Sequence, residues 1–181
     1  HSLFVDTIRS CRILVVSHML GHSCHGEGDK KISLLDRAIQ HIVATAKYSV
    51  YYGSGRDQYD LWGRTAHESI FNVNDGQYRC PNSQQGYTGF TTWTRGLAWA
   101  MLGFAEEIEA LEIIDDDQLK PLGGVDKIAE MMLKGAKATC DFYIDHTPSC
   151  GVTYWDTGAP NLHKLGDYLI RAADPYNDWE P

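Results

Sequence analysis

The spacing of apolar residues constrains the fold of this chain most, because it follows a helical period in four separate segments. The predicted helices cover residues 4–20, 31–48, 92–111 and 125–143. Between the second and third helices the pattern changes to strand-like alternation, and Asn74-Asp75-Gly76 is a strong signal for a hairpin turn. The order helix, helix, hairpin, helix, helix predicts two successive αα-hairpins with a short β-hairpin between them.

The first predicted helix differs from the second in how much of its surface is apolar. Residues 13–16 read Ile-Leu-Val-Val and leave no polar face, so we expect an inner helix that is buried on most sides. The second helix has one apolar stripe, which is typical of an outer layer. Asp6 lies in the first turn of the first helix, where a carboxylate is a good cap. Next to Phe4 and Val5, however, a carboxyl group can lose water and gain a raised pKa, as a general acid requires.

Residues 84–99 begin as a glycine-broken loop and continue as the third helix. Either Thr91 or Thr92 is expected to cap the first turn. Arg95 and Trp99 are four residues apart and share a face, so the guanidinium group can lie against the indole. The positive end of a helix beside an arginine favours an anionic ligand, and the alternative is aromatic packing at a helix start.

Charge and composition exclude several functional classes. The 181 residues carry a formal net charge of −8, which argues against a nucleic-acid surface and against a basic membrane-binding patch. No apolar run reaches the roughly 18 residues of a membrane span. The five scattered cysteines favour reduced thiols and, weakly, a cytoplasmic protein. The His22, Cys24 and His25 side chains match no standard zinc spacing, so we predict no metal and no cofactor.

The two ends of the sequence indicate a piece of a longer protein. The apolar pattern is already running at His1, and residues 174–181 read like a loop that leads into another helix. We therefore expect residues 1–181 to form a single partial domain.

Five short motifs carry a resemblance to a known family. They are FVDT at 4–7, AHE at 66–68, QGY at 85–87, TWTRGLAW at 92–99 and GVTYWD at 151–156. In this order, over nearly the whole chain, they resemble the unsaturated glucuronyl hydrolases of glycoside hydrolase family 88. The block of tryptophans and arginine that follows Gln-Gly is the most specific motif, and the others support it.

This resemblance implies an all-α fold, namely part of an (α/α)6 barrel with about four helices as two αα-hairpins plus the short β-hairpin. It also implies a substrate made by a polysaccharide lyase, an oligosaccharide with a 4,5-unsaturated uronic acid at its non-reducing end. The reaction would be hydration of a vinyl ether: an acid protonates C4, water adds at C5, and the resulting hemiketal opens and expels the rest of the chain. The usual two-carboxylate distance rule for glycosidases does not apply to this chemistry.

The resemblance assigns roles to individual residues. Asp6 falls on the acid/base aspartate. The implied substrate-binding residues are His67, Gln85, Trp93, Arg95 and Trp99. Arg95 would contact a carboxylate or a sugar oxygen, and the two tryptophans would form apolar walls against the sugar faces.

One departure from the family pattern limits these expectations. The family has a second essential aspartate on an earlier inner helix, and only residues 1–5 precede Asp6 here. We therefore expect this chain alone to be inactive and the parent protein to be the enzyme. Two alternatives stay open at this point: an unsaturated rhamnogalacturonyl hydrolase of the family 105 type, and a non-catalytic carbohydrate-binding relative.

Overall fold

The computed structural model of the chain describes residues 1–26, 28 and 30–159. The predicted closing loop at 174–181 lies outside them. The principal elements of the described part are β1 (Ser2–Phe4), a 3₁₀ helix (Val5–Ser10), α1 (Cys11–Met19), α2 (Leu34–Ala44), a π turn (Thr45–Ser49), β2 (Glu68–Phe71), β3 (Tyr78–Asn82), α3 (Thr94–Leu111), α4 (Asp116–Leu119), a second 3₁₀ turn (Lys120–Leu122) and α5 (Val125–Asp145).

The β-structure is a small antiparallel sheet in the order β1-β2-β3. The predicted hairpin corresponds to β2 and β3, in which Ser69 pairs with Pro81. Strand β1, which the sheet contains in addition to this hairpin, was not predicted, because its three residues continue the apolar pattern of the following helix. The backbone N–H of Val5 also donates to the carbonyl of His67 at 2.9 Å. The prediction of a helix from residue 4 onward is therefore wrong over its first turns, which are a strand and then a 3₁₀ helix.

The helices pack as two pairs, α1 with α2 and α3 with α5. Leu35, Ile42, Phe104, Leu119 and Met132 are among the fully buried side chains of the core they share. Burial of such side chains contributes about 1.5–3 kcal/mol each, which is why amphipathic segments form stable helices here. The fold is thus helical with one small sheet, as expected in outline.

Glycines on α3 allow the 3₁₀ helix to lie directly against it. A Cβ atom on Gly96 would come within 3.2 Å of Val5 Cγ1, and a Cβ atom on Gly103 would come within 2.6 Å of Ile8 Cγ2. Because the two glycines are seven residues apart, they lie on one face of α3. This close approach positions Asp6, between Val5 and Ile8, beside the first turns of α3.

The outer face of α1 does not match the prediction of a helix buried on most sides. Ile13 is 61% exposed and Leu20 is 71% exposed, whereas Cys11 and Val15 on the other face are buried. Within residues 1–26, 28 and 30–159, no element covers this apolar face. Among the same residues, no helix combines the length and the apolar character that crossing a bilayer requires.

Candidate active site

Four elements bring the predicted site residues to one place. Asp6 comes from the 3₁₀ helix, His67 from the residue before β2, Gln85 from the loop after β3, and Arg95 and Trp99 from the first turns of α3. Their contacts, described below, connect these five side chains through Trp93, the sixth predicted site residue. Their convergence is a structural observation, while the role of each residue stays a prediction.

Asp6 and His67 form the pair at the centre of this site. The Nε2 atom of His67 lies 3.7 Å from Oδ1 of Asp6, beyond hydrogen-bond distance. Both atoms are buried and lack a hydrogen-bond partner among the described residues. Buried polar atoms are normally satisfied, so this gap is suited to a hydroxyl group or water that bridges the two side chains. The Asp6 side chain is 28% accessible and that of His67 only 1%, so a ligand reaches the carboxyl first.

The backbone fixes the tautomer of His67. The N–H of Gln84 donates to Nδ1 at 3.1 Å. Because an amide N–H can only donate, Nδ1 must accept and the ring proton resides on Nε2, facing Asp6. Burial lowers the pKa of His67, although Asp6 and Glu68 act in the opposite direction. We therefore assign a neutral imidazole that presents an N–H to the carboxyl group.

Burial raises the pKa of Asp6 above its ordinary value. His67, the backbone and the guanidinium groups of Arg9 and Arg95 oppose this rise without cancelling it. Desolvation by apolar neighbours is the means by which a carboxyl group keeps a proton for acid catalysis. The Phe4 ring contributes to this environment, because it packs edge-on against the His67 ring at 5.3 Å.

Gln85 and Arg95 are joined directly. The Nη2 group of Arg95 donates to Oε1 of Gln85 at 2.8 Å. The Arg95 guanidinium lies 4.6 Å from the Trp93 ring centroid and 5.8 Å from that of Trp99, so the expected stacking on an indole is confirmed and extends to two rings. The planar guanidinium is thereby held in place with donors left for a ligand.

Trp93 differs from its predicted role as a wall against the sugar. It is 5% exposed, and His67 covers it at 4.6 Å between ring centroids. Its edge also meets Trp99 at 5.4 Å. Little of the indole is therefore left for a substrate, and Trp93 instead packs against the His67 ring, the Arg95 guanidinium and the Trp99 ring.

The helix start is stabilised differently from the sequence prediction. Neither Thr91 nor Thr92 caps α3: the cap position is Trp93, which makes no side-chain cap hydrogen bond. Instead, the N–H of Thr94 donates to the carbonyl of Trp155 at 3.0 Å. The segment GVTYWD, whose end lies against this helix start, therefore does part of the capping through its backbone.

Sequence reasoning missed the role of Asp156, a buried residue whose carboxylate holds the loop after β3 in place. Its Oδ2 accepts from the N–H of Tyr87 at 2.8 Å and its Oδ1 from the N–H of Gly158 at 2.8 Å. A Cβ atom on Gly86 would lie 2.6 Å from Oδ2 of Asp156 and 2.6 Å from Oγ of Ser83. Glycine is therefore required after Gln85, because the loop folds tightly around this carboxylate.

Sequence reasoning also missed Arg9. Its guanidinium lies 4.7 Å from the Trp99 ring centroid. In a 3₁₀ helix the residues i and i+3 lie one above the other, so Asp6 and Arg9 share an edge of the Val5–Ser10 helix. The spacing of three between the two residues was a signal, because residues i and i+3 share a face in either type of helix, but the contact of Arg9 with Trp99 needs the folded chain.

The described residues contain no cluster of three or more His, Cys, Asp or Glu side chains that could hold a metal ion. The site can supply a carboxyl group with a raised pKa, a neutral imidazole N–H, an amide and two guanidinium groups. This combination provides a proton donor beside donors for an anionic ligand.

Comparison with known proteins identifies relatives for part of this chain. No family model matches. The chain is 26% identical over 127 residues to an unsaturated glucuronyl hydrolase of Formosa agariphila, a match that covers 69% of this chain and 26% of the relative. It is 31% identical over 94 residues to an unsaturated glucuronyl hydrolase of Bacillus sp. strain GL1, covering 52% of this chain and 21% of the relative.

Solved structures extend the likeness to the fold. The unsaturated glucuronyl hydrolase of Bacillus sp. GL1, described as responsible for the degradation of glycosaminoglycan, aligns with a TM-score of 0.59 at 23% identity over 88% of this chain and 33% of its own. One described as specific for heparin aligns with a TM-score of 0.62 at 17% identity over 95% of this chain and 38% of its own. At these identities the structural matches establish the fold.

The matches leave most of each relative uncovered. The chain spans about a quarter of the length of the curated relatives and about a third of the solved proteins. The resemblance drawn from the motifs is confirmed: this chain is similar, in sequence and in fold, to part of the unsaturated glucuronyl hydrolases.

Proposed function

We propose that the whole protein to which this chain belongs is an unsaturated glucuronyl hydrolase. It removes a 4,5-unsaturated uronic acid from the non-reducing end of oligosaccharides produced by polysaccharide lyases. The curated relatives carry this name, which favours a glucuronyl over a rhamnogalacturonyl substrate. The observation that carries the proposal is the Asp6–His67 pair: a carboxyl group with a raised pKa, in which Oδ1 of Asp6 and Nε2 of His67 lack a hydrogen-bond partner among the described residues.

The reaction follows from the electron distribution of the substrate. The C4=C5 bond is conjugated with the ring oxygen, so C4 is the carbon that accepts a proton. Asp6 donates that proton, and the positive charge develops at C5 and the ring oxygen. Water adds at C5, a proton leaves the water, and the resulting hemiketal opens to a C5 ketone. The remaining hemiacetal at C1 then collapses to an aldehyde and releases the rest of the oligosaccharide as an alcohol.

The other residues have supporting roles in this proposal. The N–H of His67 orients the Asp6 carboxyl and the attacking water, because its tautomer is fixed by the Gln84 backbone. The Arg95 guanidinium, held by Gln85, binds the uronate carboxylate. Trp99 limits water access beside them. Each of these groups touches or positions the reacting end of the sugar.

The chain supplies only one part of the proposed enzyme. The apolar face of α1 that includes Ile13 and Leu20 is the surface on which further helices of an (α/α)6 barrel would pack. We propose that this packing closes the barrel and completes the site. The chain on its own is therefore expected to lack activity.

The test uses the whole protein and a panel of lyase-generated disaccharides. Loss of the ultraviolet absorbance of the conjugated double bond reports hydration. Repeating the reaction in D₂O locates the proton: the product should carry one deuterium at C4. Faster turnover of unsaturated rhamnogalacturonyl than of glucuronyl disaccharides would overturn the substrate assignment, and product without deuterium at C4 would overturn the mechanism.

A further inference from the structure

The site contains two arginines that are not neutralised by the described part of the chain. Arg9 and Arg95 are exposed, and neither forms a salt bridge with a carboxylate among residues 1–26, 28 and 30–159. Arg95 donates to the neutral amide of Gln85. In a chain with a formal charge of −8, two adjacent unpaired cations create a local positive field that attracts an anion.

One aromatic ring holds both guanidinium groups. The Cζ atom of Arg9 lies 4.7 Å from the Trp99 centroid and that of Arg95 lies 5.8 Å from the same centroid. Both distances are within the roughly 6 Å range of cation–π interactions, so the two planar groups are oriented and lose little entropy on binding a ligand. Because both distances are measured to the same centroid, the two Cζ atoms are separated by no more than their sum. Acidic groups on two adjacent sugar units can be this far apart.

Both arginines also influence the reacting carboxyl group. Arg9 is three residues from Asp6 on the same 3₁₀ helix, and both guanidinium groups oppose the rise in the pKa of Asp6. Since one carboxylate of the unsaturated sugar suffices for Arg95, a second guanidinium of this kind matches a second acidic group. Guanidinium groups bind carboxylate and sulfate through two parallel hydrogen bonds, which makes such a contact selective.

We propose that Arg9 determines substrate specificity: together with Arg95 it forms a two-guanidinium site in which Arg9 binds a second acidic group, a sulfate or a carboxylate, on the sugar next to the unsaturated uronate. This inference rests on the proposed function and adds a preference for doubly acidic disaccharides. Arg9 is a substrate contact in this account, while Asp6 and His67 handle the proton.

The test compares three unsaturated glucuronyl disaccharides in the whole protein. Their second sugars are uncharged, sulfated or a uronate, so the last two arms separate sulfate from carboxylate. Arg9→Met removes the guanidinium with similar length, Arg9→Lys keeps only the charge, and Arg79→Met is the matched control on exposed β3. Melting temperature and circular dichroism establish that each variant is folded.

We expect Arg9→Met to lower kcat/KM for at least one doubly acidic disaccharide about tenfold, through KM, as loss of a hydrogen bond to a charged group implies. The uncharged disaccharide should lose less than the doubly acidic ones, and Arg9→Lys should be intermediate. Equal losses on all three disaccharides, or no loss on either acidic one, would overturn the proposal. If Arg9→Met does not fold, the same comparison is made with Arg9→Lys alone.

Binding separates this inference from the proposed function. Tryptophan fluorescence titrations with the three disaccharides measure affinity in the Asp6→Asn background. Tighter binding of a doubly acidic disaccharide that Arg9→Met abolishes supports the two-arginine site, even if the wild-type protein hydrolyses none of them. Hydrolysis by the wild-type protein together with an affinity that Arg9→Met leaves unchanged would retain the proposed function and reject the role of Arg9.

Discussion

Helix α3 has an unusual carboxyl group near each of its ends, and the two groups differ in what surrounds them. At the first turns lies Asp6, and near the last turns lies Glu107, which is 2% exposed. Burial raises the pKa of both, that of Glu107 to about 7. Each also has an oxygen without a hydrogen-bond partner among the described residues.

The two carboxyl groups have different neighbours, so the raised pKa has a different consequence at each. Asp6 is partly accessible and faces His67, Arg9 and Arg95, which favour the charged form after the proton has left. Glu107 is almost fully buried, and Glu106 raises its pKa further while Arg12 opposes this rise. We therefore interpret the raised pKa as a candidate functional feature at Asp6 and as a stability cost at Glu107. The two carboxyl groups differ in their solvent accessibility and in the charged groups that surround them.

The largest expected effect compares the two carboxyl groups directly in the whole protein. Asp6→Asn should lower kcat by roughly a thousandfold, within the range for loss of a general acid–base group. Glu107→Gln, the matched amide substitution, should leave kcat within about twofold. Initial rates of absorbance loss measure both. Equal losses of kcat in the two variants would contradict the proposed difference between Asp6 and Glu107.

The second prediction concerns the pH dependence of the free energy of unfolding, to which Glu107 contributes. Its folded-state pKa is raised from 4.5 to about 7, so the folded state holds this proton more tightly than the unfolded state. The resulting stability is fully present below pH 4.5 and is lost as the pH rises to about 7. The loss is on the order of 3 kcal/mol. Urea unfolding between pH 4.5 and 8 should show a flatter profile for Glu107→Gln and higher stability at pH 8; an unchanged profile would contradict the assignment.

The third prediction compares a substitution in the loop after β3 with one in the helical core, each at a glycine. Gly86→Ala places a methyl group against Asp156 and Ser83, and Gly135→Ala places one against the ring of Phe104. Each should lower the free energy of unfolding by about 1–3 kcal/mol. Only Gly86→Ala should also reduce kcat/KM, because it displaces Gln85.

The control for these two variants is Gly26→Ala, where the new methyl group would meet Cys24 Sγ at 3.8 Å, an ordinary van der Waals contact. It should change neither stability nor activity measurably. A loss of activity in Gly135→Ala as large as in Gly86→Ala, measured on folded protein, would show that the two regions are not independent.

The smallest effect comes from the exposed ion pairs beside Glu107. Arg12 lies 2.9 Å from Glu109 and 3.7 Å from Glu106, and its side chain is 42% accessible. Arg12→Gln should cost less than about 1 kcal/mol of stability, because solvent screens exposed pairs. It should also shift the Glu107 titration to higher pH, since Arg12 lowers that pKa. A shift to lower pH in the unfolding profile would contradict this.

Sequence reasoning named Asp6, His67, Gln85 and Arg95 as candidate site residues from a charged helix start and short motifs, which are local features; the structure brings them together, and their roles stay predictions. Sequence reasoning also found the four main helices, whose apolar periods are long. It missed β1, whose three residues pair with a strand more than 60 positions away along the chain, at Glu68–Phe71. Arg9 was missed because its contact with Trp99, on a helix 90 positions away along the chain, leaves no local signal.

The remaining differences have the same origin in tertiary contacts. The burial of Trp93 depends on His67, which approaches from another part of the chain. The capping of α3 depends on the carbonyl of Trp155. Asp156 was included in a motif, but its role as a loop anchor needs the folded loop around Gly86. None of these contacts leaves a periodic signal in the sequence.

The most direct test of the central claim is a ¹³C NMR titration of the Asp6 side-chain carboxyl in the whole protein, assigned with Asp6→Asn. The account predicts a midpoint above the ordinary aspartate value, and a further rise in Arg9→Met, because Arg9 lowers this pKa. A midpoint at or below the ordinary value would mean that Asp6 gives up its proton too readily to serve as the acid, and would contradict the account.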